Sequence, residues 1–278
     1  MEYLSTGISR LDTLFGGGVP AGSVVLLAGE AGAGAREFMY TSAAMNALST
    51  ADQEQFDLYY GDLPEGARHP DDVHYLSFTA DRDALVQEMS FTLDDEIVTS
   101  AIEDISFVDL SDEYFQLSQV PTEWYAEQTA DISSLGDSHD RRGVLDAAGD
   151  YLTDNAAGNL VCIDSVTDLV SAASDEMEWS DISLLMKGLK KASTRWQGIV
   201  LLLANRESLT DRQMGTLMEA ADGTLAFEWE SGGSERARTL FVQAFRGVLS
   251  RLEEENIIRF ETEIHDGGFD ISDVRKIR

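Results

Sequence analysis

The chain has 278 residues, and its 51 Asp and Glu against 20 Lys and Arg give a formal net charge of -31. This length allows one large domain with a full core, or two small ones. The charge argues against nucleic acid as a main partner, because binding to phosphates requires a basic surface. No apolar run of roughly 18 residues and no secretory signal pattern occur, so a soluble cytoplasmic protein without membrane insertion is expected.

The acidic composition predicts a protein adapted to high salt. The few lysines are Lys187, Lys190, Lys191 and Lys276, and most basic residues are arginine. Self-repulsion among so many carboxylates destabilises a fold in dilute buffer, whereas molar salt shortens the screening length to about 3 Å. We interpret the chain as haloarchaeal; the alternative is an acidic mesophilic protein with a regulatory role. Cys162 is the single cysteine, so neither an internal disulfide nor a zinc cluster is expected.

Hydrophobic periodicity predicts strands that alternate with helices. A helical turn is predicted over 9–15. Strands are predicted over 23–28, 73–78, 105–110, 159–164 and 199–204, and helices over 36–48, 83–92, 143–156, 180–195 and 215–221. From residue 223 the pattern changes to strands alone, over 224–230, 238–245, 257–263 and 267–274. This order is typical of an α/β fold with a mainly parallel sheet, helices on both faces and an antiparallel C-terminal extension.

The whole chain, 1–278, is interpreted as one domain with two acidic insertions, at about 50–72 and 111–142. Both segments are polar, acidic and rich in turn-forming residues, and we expect irregular surface structure there. Two interpretations of these insertions stay open: they solvate the protein at high salt, or they form the surfaces that bind a partner.

A glycine-rich loop between the first long strand and the first long helix has the frame of a phosphate-binding loop, G-x-x-x-x-G-K-[ST]. Its residues are Gly29, Glu30, Ala31, Gly32, Ala33, Gly34, Ala35 and Arg36. Ala35 stands where the lysine belongs, and Arg36 stands where the hydroxyl that binds Mg²⁺ belongs. Arg36 is either a substitute phosphate clamp or a solvated residue paired with Glu37 or Glu30.

These residues resemble the KaiC-like branch of the RecA/RadA ATPase superfamily. The resembling segments are 5–12, 15–23, the loop from Gly29, 161–167, 199–203, 221–225 and 238–247. The resemblance implies a RecA-like P-loop NTPase fold. It also implies that this chain is a degenerate haloarchaeal member of the transducer-like kind.

The resemblance assigns roles to three further positions, and two of them have changed. Asp164 is similar to the family's acid that holds the water shell of Mg²⁺, so it is the candidate metal ligand; otherwise it caps the turn at the strand end. The two catalytic glutamates are replaced by Thr79 and Ala80, and Asp81 is interpreted as a helix N-terminal acid. Near the C-terminus the family's inter-subunit Lys-x-Arg has become Ala244 and Arg246, so Arg246 is a candidate inter-subunit residue or a surface ion pair.

The pattern as a whole predicts a pseudo-ATPase, a regulatory or signalling protein that acts through contacts with an unidentified protein partner. No catalytic residue and no cofactor are expected. One alternative is a regulator that still binds ATP, with or without Mg²⁺, and hydrolyses it weakly or not at all. A second alternative is an active ATPase of the RecA/KaiC type. Assembly into a homo-oligomer stays open.

Salt dependence gives the first prediction. Circular dichroism in molar KCl will show full secondary structure, and transfer to dilute buffer will remove most of it, because carboxylate repulsion is then unscreened. An unchanged spectrum in dilute buffer would contradict the halophilic interpretation.

Overall fold

The computed structural model describes residues 2–116, 118–125, 143–171, 178–230, 237–254 and 257–276. Its strands, in chain order, are β1 (Tyr3–Leu4), β2 (Val19–Pro20), β3 (Ser23–Gly29), β4 (Ala67–Arg68), β5 (Val73–Ser77), β6 (Ile105–Asp109), β7 (Leu160–Asp164), β8 (Ile199–Asn205), β9 (Gly223–Glu230), β10 (Ala237–Phe245), β11 (Ile257–His265) and β12 (Gly268–Lys276).

The helices connect these strands. They are α1 (Ser9–Phe15), α2 (Ala35–Ala51), α3 (Gln53–Tyr59), α4 (Arg82–Ser90), α5 (Asp95–Ala101), α6 (Ser111–Phe115), α7 (Val144–Asn155), α8 (Val166–Ser171), α9 (Trp179–Trp196), α10 (Asp211–Ala220) and α11 (Leu249–Glu254). Short 3-10 turns add Ile102–Asp104, Thr122–Trp124 and Arg206–Ser208.

In the part of the chain that the structure describes, nine strands form one sheet in the order β12-β11-β10-β9-β3-β8-β7-β5-β6. The six strands from β9 to β6 in that order pair in parallel, and β10, β11 and β12 continue the sheet with antiparallel pairing. The predicted fold class, a mainly parallel α/β sheet with an antiparallel C-terminal extension, is therefore confirmed.

Strand β3 lies at the centre of the sheet, and every residue in it is buried. Side chains alternate between the two faces of a strand. Val25 and Leu27 accordingly join the apolar cluster that contains α2, α4 and α5, whereas Val24 and Leu26 join the cluster that contains α7, α9 and α10. Helices thus cover both faces, which explains why the sequence of β3 is a continuous apolar run.

The N-terminal segment is organised around one buried carboxylate, that of Asp12. It accepts hydrogen bonds from the Thr6 backbone N–H at 3.0 Å, the Thr6 hydroxyl at 2.6 Å, the Ser5 hydroxyl at 2.8 Å and the Tyr60 hydroxyl at 2.7 Å. These bonds join α1 to the end of α3 and to the small sheet β2-β1-β4. Burial nevertheless raises the pKa of Asp12 to about 6, although the hydrogen bonds act in the opposite direction.

The predicted insertion at about 50–72 is more ordered than its sequence suggested. It contains the end of α2, all of α3 and β4. Asp52 caps α3 by accepting from the Gln55 backbone N–H at 3.1 Å, and Phe56 and Tyr60, four residues apart, bury their rings. The polar composition of the segment concealed this short amphipathic helix. The second insertion, 111–142, contains α6 and a 3-10 turn, and its residues 117 and 126–142 lie outside the described residues.

The remaining predicted elements occur close to their expected bounds, but three short helices were missed. They are α5, α8 and α11. Each has at most seven residues, which is too short for a clear helical period. The two strands predicted over 257–263 and 267–274 occur as β11 and β12, which pair with each other as an antiparallel hairpin. Within the described residues, no helix combines the length and the apolar character required to cross a bilayer.

The raised pKa of Asp12 gives a pH prediction. The folded protein holds a proton on Asp12 up to about pH 6, whereas the unfolded chain loses it near 3.8. The contribution of this group to stability is therefore fully present below the lower value and is lost as pH rises through the upper one, by roughly 3 kcal/mol in total. Denaturant unfolding in molar KCl measures the free energy of unfolding of wild type and of Asp12→Asn. We expect the difference, wild type minus variant, to decrease from pH 4 to pH 6 and to be constant above pH 7. A constant difference across the whole range would show that folding does not shift the pKa of Asp12.

Candidate functional site

The glycine-rich loop joins β3 to α2 at the carboxyl end of the central strand, which is the position where open α/β sheets bind ligands. A Cβ atom on Gly29 would lie 2.6 Å from the Cβ of Ala35, so only glycine fits there. Gly34 precedes the first residue of α2 with a φ of 110°, a conformation that favours glycine. The loop borders a cavity of about 200 Å³, which Ser165 and Asn205 also line.

Trp229 on β9 and Arg238 on β10 donate hydrogen bonds to the glycine-rich loop. The Trp229 ring N–H donates to the carbonyl of Ala31 at 3.0 Å, and Nε of Arg238 donates to the carbonyl of Gly32 at 3.0 Å. The Arg238 guanidinium also lies over the Trp229 ring, 4.8 Å from its centre. Glu30 completes the contact by accepting from the backbone N–H of Trp229 at 3.0 Å. The loop conformation is therefore fixed from β9 and β10 by side chains that sequence reasoning did not associate with it.

Arg36 reaches from the first turn of α2 to the end of β7. Its Nη1 atom lies 2.9 Å from Oδ2 of Asp164 and 3.5 Å from Oε2 of Glu88 on α4. The sequence interpretation of Arg36 as a residue paired with Glu37 or Glu30 was wrong about the partners. Those acids are neighbours in sequence, whereas Asp164 comes close to Arg36 only because β3 and β7 end at the same edge of the sheet.

Asp164 is buried, and its carboxylate has two partners. Besides Arg36, it accepts a hydrogen bond from the Tyr75 hydroxyl at 2.8 Å. Tyr75 stacks on Tyr40 at 5.9 Å between ring centres, and the Tyr40 hydroxyl donates to Glu88. Two carboxylates, two tyrosines and one arginine thus form a connected polar group beneath the loop.

Burial and charge act against each other in this group. Burial raises the pKa of Asp164, while the nearby guanidinium of Arg36 and the hydrogen bond from Tyr75 lower it. Burial also lowers the pKa of Arg36, but the attraction of Asp164 outweighs this effect and leaves the pKa above its ordinary value. Arg36 therefore stays charged and supplies the positive charge that the buried carboxylate requires.

The other predicted site positions have structural partners of their own. Asp81 caps α4 by accepting from the Ala84 backbone N–H at 2.8 Å, as the sequence analysis predicted. The backbone N–H groups of Thr79 and Ala80 lie 3.3 Å and 2.9 Å from the Ser77 hydroxyl oxygen. The segment that contains Thr79 and Ala80 is thus a short turn leading into a helix cap.

Arg246 does not join this site within one chain. It follows β10 where that strand pairs with Gly223, the first residue of β9, and this end of the sheet is opposite to the loop. Its side chain is 79% exposed, and its Nη1 lies 3.8 Å from Asp222. The inter-subunit role of Arg246 stays a prediction.

Comparisons with known proteins agree with this architecture. A family of unknown function (DUF7125) matches residues 3–54, the segment that contains the loop. A comparison with curated protein sequences finds no match for this chain. Among solved structures, the KaiC-like protein PH0186 from the hyperthermophilic archaeon Pyrococcus horikoshii OT3 has a TM-score of 0.62 and 16% identity, covering 98% of this chain and 99% of the other.

A second similar structure is the flagellar accessory protein FlaH from Methanocaldococcus jannaschii. It has a TM-score of 0.57 and 14% identity, with 96% of each chain covered. At these identities the likeness shows the fold. The expected RecA-like architecture is confirmed by both neighbours, and the loop occupies the strand-to-helix junction that this architecture uses for ligands.

The ion pair between Arg36 and Asp164 gives a stability prediction. Arg36→Ala leaves a buried carboxylate without its cation, so we expect a loss of about 1–3 kcal/mol, less than for a fully buried pair because the Arg36 side chain is 43% exposed. Denaturant unfolding in molar KCl measures it.

A matched control is Arg82→Ala, which removes a surface pair with Glu103 whose side chains are 47% and 79% exposed. This variant will change stability by less than about 0.5 kcal/mol. Adding Asp164→Asn to Arg36→Ala will recover part of the loss, because the unpaired charge is then gone. Equal effects of Arg36→Ala and Arg82→Ala would contradict the assigned role of Arg36.

Proposed function

We propose that this chain is a KaiC-like protein that has lost ATP hydrolysis and acts as a regulator through contact with another protein. The observation that carries the proposal is the 2.9 Å contact between Nη1 of Arg36 and Oδ2 of Asp164. A phosphate-binding loop holds Mg²⁺ with a hydroxyl on α2 and an acid at a neighbouring strand end. Here the hydroxyl is replaced by a guanidinium, which binds that acid. This donor set does not fit Mg²⁺, because a cation is already part of it.

The residues that would bind the phosphates of a nucleotide are also changed. The lysine that bridges phosphates is replaced by Ala35, which is buried, and the nearest cation, Arg36, is engaged with two carboxylates. The cavity beside the loop measures about 200 Å³. Pockets for small molecules usually exceed roughly 300 Å³. Both facts support a protein that does not depend on bound nucleotide.

A general base for water attack has no evident source at the expected positions. Thr79 and Ala80 carry no carboxylate, and Asp81 uses its carboxylate as a helix cap. A hydrolytic base must come within hydrogen-bond distance of its water and be free to accept the proton. This supports the loss of hydrolysis independently of the loop.

The second candidate is a regulator that binds ATP without hydrolysing it. The glycine frame from Gly29 to Gly34 favours it, since backbone N–H groups alone attract phosphate.

The third candidate, an active ATPase, requires rearranged catalytic groups. For all three candidates, the acidic composition supports a haloarchaeal cytoplasm as the setting. A signalling role and assembly through Arg246 are further parts of the proposal that rest on the KaiC-like resemblance.

Calorimetry with ATP and Mg²⁺ in molar KCl tests the proposal. We expect no binding to wild type. Arg36→Thr combined with Ala35→Lys restores the hydroxyl, the lysine and a free Asp164, and its affinity for ATP will be at least about tenfold above the detection limit of the titration. Ala35→Lys alone is the matched control. It will gain little, because Arg36 still occupies the carboxylate.

Three other outcomes would change the conclusion. Binding by wild type without turnover would favour the ATP-binding regulator. Steady turnover that Asp164→Asn abolishes would establish the active ATPase. A response of Ala35→Lys alone equal to that of the double variant would remove the significance of the ion pair.

A further inference from the structure

Large apolar side chains are exposed where α3 and α4 end. Leu58 and Tyr59 end α3, Phe91 follows α4, and the three residues are 75%, 36% and 80% exposed. They are three of the five large apolar residues that the described part of the chain exposes. A concentration of exposed apolar surface on an otherwise acidic protein indicates an interaction site.

The turn between β11 and β12 contacts both the end of α3 and the segment that follows α4. A Cβ atom on Gly267 would lie 3.1 Å from the Tyr59 ring, so this ring packs over the turn. Leu93, two residues after Phe91, forms an isolated β-bridge with the same glycine. Tyr59 is therefore held in a fixed orientation between α3 and the turn, and a fixed aromatic ring makes a good contact surface because little conformational entropy is lost on binding.

A groove continues from Tyr59 into the molecule. It has a volume of about 390 Å³, and Met45, Tyr60, His265 and Phe269 are among the residues that line it. The groove also contains Arg10, whose Nη1 donates to the carbonyls of Ile271 at 2.8 Å and Ser272 at 2.7 Å. The groove therefore has apolar and aromatic walls, and Arg10 is hydrogen-bonded to β12.

Three carboxylates lie near Tyr59. Asp94, Glu96 and Asp266 lie close enough to Tyr59 that their charges, together with burial, raise the pKa of its hydroxyl. Asp270 lines the groove. A ligand that places an apolar group on Tyr59 must therefore bring positive charge to the rim, since an anionic ligand would be repelled.

We propose that this docking face, made of Leu58, Tyr59, Phe91 and the adjoining groove, binds a basic amphipathic segment of another protein. The apolar face of the segment packs on the exposed side chains, and its arginines or lysines pair with the acidic rim. A second copy of this chain is a poor occupant because two such faces would bring the carboxylates of Asp94, Glu96 and Asp266 against their own counterparts. An anionic membrane surface is repelled for the same reason.

The inference deepens the proposed function, because a regulator that acts by contact needs a docking surface. It rests on that proposal for its biological meaning only. ATP binding and turnover test the first proposal, and peptide binding tests this one, so each can fail separately.

Fluorescence anisotropy of a short labelled peptide tests the docking face. The peptide forms an amphipathic helix with arginine on one side and leucine and tryptophan on the other. It is titrated with the full chain at the lowest KCl concentration that keeps the protein folded. We expect Leu58→Ser with Phe91→Ser to raise the Kd at least about tenfold. Both side chains are exposed, so the melting temperature will stay near that of wild type.

Matched controls locate the effect. Leu184→Ser removes an apolar side chain of similar exposure, 67%, on α9, and it will leave the Kd within about twofold. Glu96→Gln with Asp266→Asn will weaken binding more at low KCl than at high KCl, whereas Glu207→Gln, an exposed acid elsewhere, will not.

Several results would overturn the proposal. One is equal binding of a control peptide in which serine replaces leucine and tryptophan, because general charge attraction would then suffice. Another is a Kd that does not respond to the double serine variant. A third is sedimentation that shows a dimer of the chain alone which the same variant dissociates, because the face would then be a contact between copies.

Discussion

The ion pair between Arg36 and Asp164 is the interaction on which the other contacts of the site depend. A RecA-type sheet brings the start of α2 and the end of β7 to the same edge, and the acid at the end of β7 is buried there. A buried carboxylate requires a cation, because burial without one costs several kcal/mol. In this chain Arg36 supplies the cation from within the protein. The charge of this buried position is therefore balanced by two side chains of the chain itself.

The same interaction explains how other residues around the loop depend on one another. Arg36 also contacts Glu88, which connects α2 to α4, and the stacked rings of Tyr40 and Tyr75 fill the space beneath. Trp229 on β9 and Arg238 on β10 donate hydrogen bonds to carbonyl groups of the loop. A loop that opens and closes around nucleotide would have to break some of these contacts. Opening of the loop would therefore cost the free energy of the hydrogen bonds that it breaks.

That surface combines two properties that oppose each other energetically. The net charge keeps copies of the chain apart, whereas exposed Leu58, Tyr59 and Phe91 favour association. A partner of opposite charge with an apolar face satisfies both properties, and like-charged partners are rejected by repulsion. In the proposed docking face, the apolar side chains would supply affinity and the carboxylates would select a basic partner. Salt concentration would weaken mainly the charged part of the interaction.

The α/β class, the central buried strand and the glycine loop can be predicted from the sequence, because continuous apolar runs and turn glycines depend on local chemistry. The spacing of the glycines also predicts that Ala35 and Arg36 stand at the lysine and hydroxyl positions of a phosphate-binding loop. The partner of Arg36 is found only in the folded chain, since Asp164 is far away in sequence and close only through the strand order β3-β8-β7. The same holds for Trp229 and Arg238 on the loop, and for Tyr59 over Gly267. Such contacts join distant segments, and no periodicity or spacing within either segment encodes them.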